Sequence, residues 1–189
     1  MRDEAFQAEL LTAEVESIRS ETRSVLSADS WRWLAIWSVV CLGAGLSAIG
    51  PWADALAPRY WLVAAPIGMA ATALVGFRYE RTKGVRSRGW PYWAVGATMG
   101  VLTSISSAVL PEGVLVIWVW VVMGSGFAIM SGFDGYRRGR STFLAAVGMT
   151  VAAAFLVANP FVVYALAGIG FGVTMAWLSH DARPPVTRS

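Results

Sequence analysis

Of the fifteen basic residues in this chain, Arg59 alone falls on the far side when its six long apolar stretches are threaded through a membrane in order. The stretches are 31–50, 60–77, 90–110, 113–130, 142–158 and 161–179. Each is close to the roughly 20 residues a helix needs to cross a bilayer core of about 30 Å. Between them the charge alternates. Arg78, Arg81, Lys83, Arg86 and Arg88 follow the second stretch, only Pro111 and Glu112 the third, Arg137, Arg138 and Arg140 the fourth, and only Asn159 and Pro160 the fifth. Loops that stay in the cytoplasm retain Lys and Arg, so the pattern predicts six spans with both termini cytoplasmic, in a cell (inner or plasma) membrane.

Composition excludes most other architectures. With 56% apolar and 14% charged residues, the chain leaves no polar segment long enough for a second, water-soluble domain. The reading is therefore one membrane domain, residues 31–179, preceded by a cytoplasmic segment 1–30 and followed by a tail 180–189. The net charge of +3 resides at helix ends, where topology already requires it, and nucleic acid is not an expected partner. A single cysteine, Cys41, permits no intrachain disulfide. Residues 1–30 carry too many acids for the basic start of a signal peptide.

That first segment has its own logic. Between Asp3 and Ser27 there is neither Gly nor Pro, and Ala8, Leu11, Val15, Ile18, Thr22 and Val25 recur in steps of three and four, the spacing of a narrow stripe on one helix face. Acids come early (Asp3, Glu4, Glu9) and arginines late (Arg19, Arg23), complementing the helix dipole. Residues 1–27 hold six acids and three arginines, a charge of −3, against twelve basic and six acidic residues in the remainder. A helix that lies on anionic lipid is basic on its polar face, so this acidic one is expected to meet protein. Leu11, Val15, Ile18 and Thr22 are the expected contact residues, toward the chain's own basic loops, a second copy in a coiled coil, or a soluble partner.

The membrane domain reads as three helical hairpins. An aromatic at the cytoplasmic side is followed eighteen residues later by a turn proline at Trp33/Pro51 and Trp93/Pro111, and seventeen later at Phe143/Pro160. The second helices carry small residues in steps of four: Gly68, Thr72 and Gly76; Gly124, Ala128 and Gly132; Gly168, Gly172 and Ala176. Such stripes let membrane helices approach closely, so these glycines are the expected packing positions of parallel repeats about an axis normal to the membrane. The fold class is all-α, polytopic, with an amphipathic N-terminal cytoplasmic helix.

This plan of short hairpins, with a turn proline, an apolar helix ending in Gly and then a basic loop, resembles the HdeD-like short-repeat membrane proteins, small six-helix bacterial inner-membrane proteins named for acid resistance. The most similar stretch runs Phe155-Leu156-Val157-Ala158-Asn159-Pro160-Phe161, then Ala167-Gly168-Ile169-Gly170. The resemblance covers about 33–179, implies a stress-related role, and carries no catalytic motif.

Reactive chemistry is sparse. His180, the only histidine, follows the last stretch beside Asp181 and reads as interfacial rather than as a ligand or relay. No Cys/His set suits a transition metal, no phosphate loop occurs, and no span carries a charge well inside it, which is where transporters keep their ion sites. Hydroxyls at Thr98, Thr103, Ser104, Ser106 and Ser107, and Pro66 in the second helix, keep ligand binding open. The aromatics Trp52, Tyr60 and Trp61 outside, and Trp31, Trp33, Trp90, Tyr92 and Trp93 inside, read as interfacial belts, with Trp118 and Trp120 deeper. The expected function is a non-enzymatic membrane accessory or sensor-type protein without cofactor or metal, engaging a partner through residues 1–27. The alternative is a small transport component for an apolar or uncharged solute.

Overall fold

A computed structural model describes residues 11, 12, 14, 15, 30–83, 90–133 and 135–182. They are helical, with no strand among them: α1 (Ser30–Ser47), α2 (Ala53–Lys83), α3 (Trp90–Val109), α4 (Glu112–Phe133), α5 (Arg137–Leu156) and α6 (Pro160–Asp181). Four are long and apolar enough to cross a membrane: α2 over Ala53–Arg78, then α4, α5 and α6. α1 is apolar but shorter, Trp31–Ser47. Large apolar side chains cover the outside of the bundle, among them Leu62, Val63 and Ile67 of α2 and Met149 and Phe155 of α5. A surface of that kind suits lipid, not water.

Local sequence explains most boundaries. Asn159 caps α6, its side chain accepting from Phe161 N at 2.9 Å with Pro160 behind it in the first turn, where a missing N–H costs nothing. Gly135 takes a left-handed φ of 68°, which lets Tyr136 N–H reach back to Ser131 O at 2.9 Å and close the end of α4. Gly50, at φ 99°, reverses the chain after α1. The second helix departs from expectation, for α2 begins at Ala53 rather than near residue 60 and runs through both Pro58 and Pro66. Asp54 in its first turn suits the positive end of the helix dipole. Each internal proline removes one ladder donor without ending the helix.

The most extensive seam joins the first helix to the last. α1 lies on α6, α2 on α1, α3 on α4, and α5 against both α4 and α6; α4 also touches α6 and, lightly, α2. Along the α1–α6 seam the backbones meet. A methyl group built on Gly168 would lie 2.5 Å from Gly45 Cα and 3.0 Å from Cys41 O, and one on Gly172 would lie 2.5 Å from Leu42 Cγ. Ser38 Oγ donates to Gly172 O and Ser179 Oγ to Trp31 O, each at 2.8 Å. Gly124 of α4 is similarly enclosed, by Val147 of α5 and by Phe171 Cζ of α6 at 2.6 Å.

The remaining stripe glycines differ. Gly68 meets α1 tightly but less closely, 3.3 Å to Val40 Cγ2, whereas Gly76 faces open space and Gly132 has only Arg140 Cδ at 4.0 Å. Gly148 and Gly170 likewise face open space. The close approach of α1 depends on Ser38, Cys41 and Gly45, a stripe on a first helix that the second-helix pattern does not anticipate. Gly168→Leu and Gly124→Leu should each destabilise the detergent-solubilised protein by about 1–3 kcal/mol through overpacking, while Gly148→Leu and Gly170→Leu leave the thermal midpoint unchanged. A melting series over the four variants checks this.

Candidate functional site

The centre of the bundle is a column of aromatic rings drawn from five helices. Tyr60 and Trp61 of α2 stand edge to face at 5.8 Å, and Trp61 meets Trp120 of α4 edge on at 5.5 Å. Trp120 contacts Tyr164 at 5.3 Å and stacks on Phe171 at 5.4 Å, both of α6. The column continues through Phe143 of α5 to Phe127 of α4, which receives Trp37 at 5.4 Å and Trp33 at 6.0 Å from α1. Lipid tails are as apolar as the rings, so burial alone does not hold helices together in a bilayer. Each aromatic pair adds about 0.5–1.5 kcal/mol through its geometry.

Polar groups within the column are few and mostly satisfied by neighbouring backbone. Tyr60 Oη donates to Val40 O at 2.9 Å, and Trp37 Nε1 donates to Thr72 Oγ1 at 3.1 Å, which in turn donates to Gly68 O at 2.8 Å. Tyr164 Oη reaches Ala57 O only at 3.4 Å. Two donors have no partner: the indole N–H groups of Trp61 and Trp120. Trp61 is 9% exposed and Trp120 0%. The Trp61 N–H lies near the Tyr164 hydroxyl, as does Ser47, but outside hydrogen-bonding geometry. An unpaired buried donor costs on the order of 1–3 kcal/mol, so two on touching rings mark the most unusual chemistry in the described bundle.

No family model, curated protein or solved structure matches this chain.

The residues singled out from sequence fall in separate places. Leu11 and Val15 are helical and exposed, at 62% and 47%; Ile18 and Thr22 lie outside the described residues. Trp61 and Trp33, read as interfacial, are instead packed into the ring column, Trp33 partly buried against it. Because α2 starts at Ala53, Trp61 falls in its third turn, against Trp120 of α4 rather than among the headgroups. Trp90 and Trp93 are exposed, as a belt requires, and Trp118 is 36% exposed while Trp120 is enclosed. Thr98, Thr103 and Ser104 donate back to carbonyls four residues earlier in α3. His180 is exposed, and among the described residues no group of acids, histidine and cysteine could hold a metal.

At the opposite, basic end Asp181 forms a latch between the last helix and the α4–α5 turn. Its Oδ2 accepts from Arg138 at 3.0 Å and from Tyr136 Oη at 3.1 Å, while the Arg138 guanidinium sits 4.2 Å over the Trp177 ring. Partial burial, followed by the bond to the Asp181 carboxylate, raises the Tyr136 pKa above its ordinary 10.0. A raised value means that the folded state favours the protonated phenol. The contribution is therefore complete below pH 10 and is lost as pH rises through the folded-state value. Alkaline melting curves should show the wild type losing stability above about pH 10 more steeply than Tyr136→Phe. Parallel curves would mean that the phenol contributes nothing to the latch.

Proposed function

We propose that the chain is a six-span membrane accessory or sensor-type protein, non-enzymatic, with both termini in the cytoplasm and an N-terminal helix that engages protein. All six helices cross in this reading, paired as three hairpins. α1 is shorter than its neighbours, yet it follows α6 from Trp31 opposite Ser179 to Gly45 opposite Gly168. An antiparallel partner of a spanning helix covers the same thickness. α3 has 20 residues, about 30 Å of helix, and follows α4 from Tyr92 against Phe133 at the inner end. The orientation is supported by the distribution of basic residues.

The observation that carries the accessory role is the pair Leu11 and Val15, large apolar side chains four residues apart on a helix and both exposed. Four residues place them on one face. Such a stripe is short, and an isolated helix of this kind is marginal in water. Its acidic flanks favour a protein surface over anionic lipid. The likeness to HdeD-like proteins rests on hydropathy and Gly/Pro positions alone, and the accessory role stands on the exposed stripe instead. The stress-related role is no more than what that likeness implies.

Reporters inserted after Arg81 or Arg140 should read cytoplasmic, and those at Pro51 or Pro111 external. A cytoplasmic signal at Pro111 would remove the six-span topology. Leu11→Asp together with Val15→Asp should abolish co-purification of a partner, or self-association in detergent, while membrane insertion stays intact. Unchanged complexes and unchanged protease sensitivity around Arg19 would reduce the segment to a tail.

A further inference from the structure

Charges at the basic end of the bundle are unevenly matched. Asp181 of α6 takes Arg138, but Arg137 and Arg140 of the same helix start are exposed and enter no ion pair among the described residues. No acid stands in the first turn of α5, and the side chain of Tyr136 does not cap it. Two free cations therefore add to the positive end of the helix dipole, where an acid is favoured. Arg140 lies along the last turn of α4, its Cδ 4.0 Å from where a methyl on Gly132 would be, and Phe133 beside Gly132 is 51% exposed. The patch is basic with an apolar margin.

The surface that complements it belongs to the same chain. Leu11, Glu14 and Val15 are helical and exposed, and Glu14 enters no ion pair among the described residues. Spacings of three and four put all three on one helix face, an acid with two apolar side chains, in a segment with six acids against three arginines over residues 1–27. The path between the two surfaces is short. Ser179 of α6 donates to Trp31 O of α1, and two residues on Asp181 holds Arg138 of α5, so the end of α6 stands between the starts of α1 and α5. Two helix-to-helix steps of about 8–10 Å separate those starts. From Ser30 back to Val15 the chain reaches about 22 Å as helix and farther if extended. An anionic leaflet repels an acidic face, whereas a tether holds it near the arginines at high effective concentration. We infer that the face bearing Leu11, Glu14 and Val15 docks on the start of α5 in its own chain, Glu14 pairing with Arg137 and Arg140 while the two aliphatics cover Phe133. This rests on the reading that the N-terminal helix engages protein, and it names the surface engaged. An outside partner for the same face must displace it from α5.

The test uses the full-length protein in nanodiscs of neutral phosphatidylcholine, with Thr12→Cys and Ser141→Cys joined by a short bismaleimide. Cys41, at 0% exposure, is shielded from the reagent. Cross-linking within one chain should be efficient at low salt and fall at roughly 1 M salt. Glu14→Arg leaves every span and basic loop untouched and should lower the yield about threefold or more. Adding Arg137→Glu and Arg140→Glu to it should restore the yield. A yield indifferent to Glu14→Arg overturns the docking, whether or not the reversed arginines insert normally. A product joining two chains would give the acidic face to a second copy, and cross-linking that phosphatidylglycerol nanodiscs abolish would give the arginines to lipid headgroups; either overturns the contact within one chain. Loss of the contact while co-purification of a partner still depends on Leu11 and Val15 would sink the docking alone and leave the accessory reading standing.

Discussion

The bundle depends on the contact of α1 with α6 at Gly45 and Gly168, where two backbones approach so closely that neither residue has room for a side chain. In a bilayer the helices gain little from hiding apolar surface, so association must come from dispersion at short range and from hydrogen bonds that lipid cannot offer. The glycine pair supplies the first. Ser38 and Ser179, each donating across the seam at 2.8 Å, supply the second. Joining the first helix to the last brings the ends of the membrane domain together and presents α1 and α6 jointly to the ring column.

That column does for the centre of the bundle what the glycines do for its seam. Five helices send rings toward one axis, and α3 sends Met99 onto Gly126 instead. The difference has a consequence for rigidity. Rings in stacked and edge-on contact have few alternative arrangements, whereas an unbranched thioether has many. The α3 side of the molecule is therefore the side with the most freedom to repack. The basic end is fastened separately, by a solvent-exposed carboxylate shared between an arginine and a tyrosine. An exposed ion pair of this kind contributes about 0–1 kcal/mol, so this latch orients the α4–α5 turn more than it stabilises the bundle.

Much of the architecture was legible in the sequence because its causes are local. A helix start is written in Asn159-Pro160, a helix end in Gly135, and a membrane-crossing length in the apolar runs of α4, α5 and α6. The start of α2 was not legible, since prolines at 58 and 66 argue for interruption and the helix tolerates both. The small-residue stripes were legible only in part. Spacing singles out Gly124, Gly168 and Gly172, which lie close against neighbouring helices, and equally Gly76 and Gly132, which lie against nothing closer than 4.0 Å. Spacing defines a face of a helix and carries no information about which helix, if any, lies opposite.

By itself, then, the sequence determined that these residues form apolar helices, where they turn, and which end of each bears the positive charge, because hydropathy, capping and the inside bias of Lys and Arg act over a few residues. Only the tertiary structure decided that Gly45 rather than Gly76 takes a close partner, and that Trp61 and Trp120 stand together with their N–H groups unpaired. Those outcomes depend on contacts between residues far apart in the chain. Ring shape and backbone approach decide among faces that composition makes equally apolar.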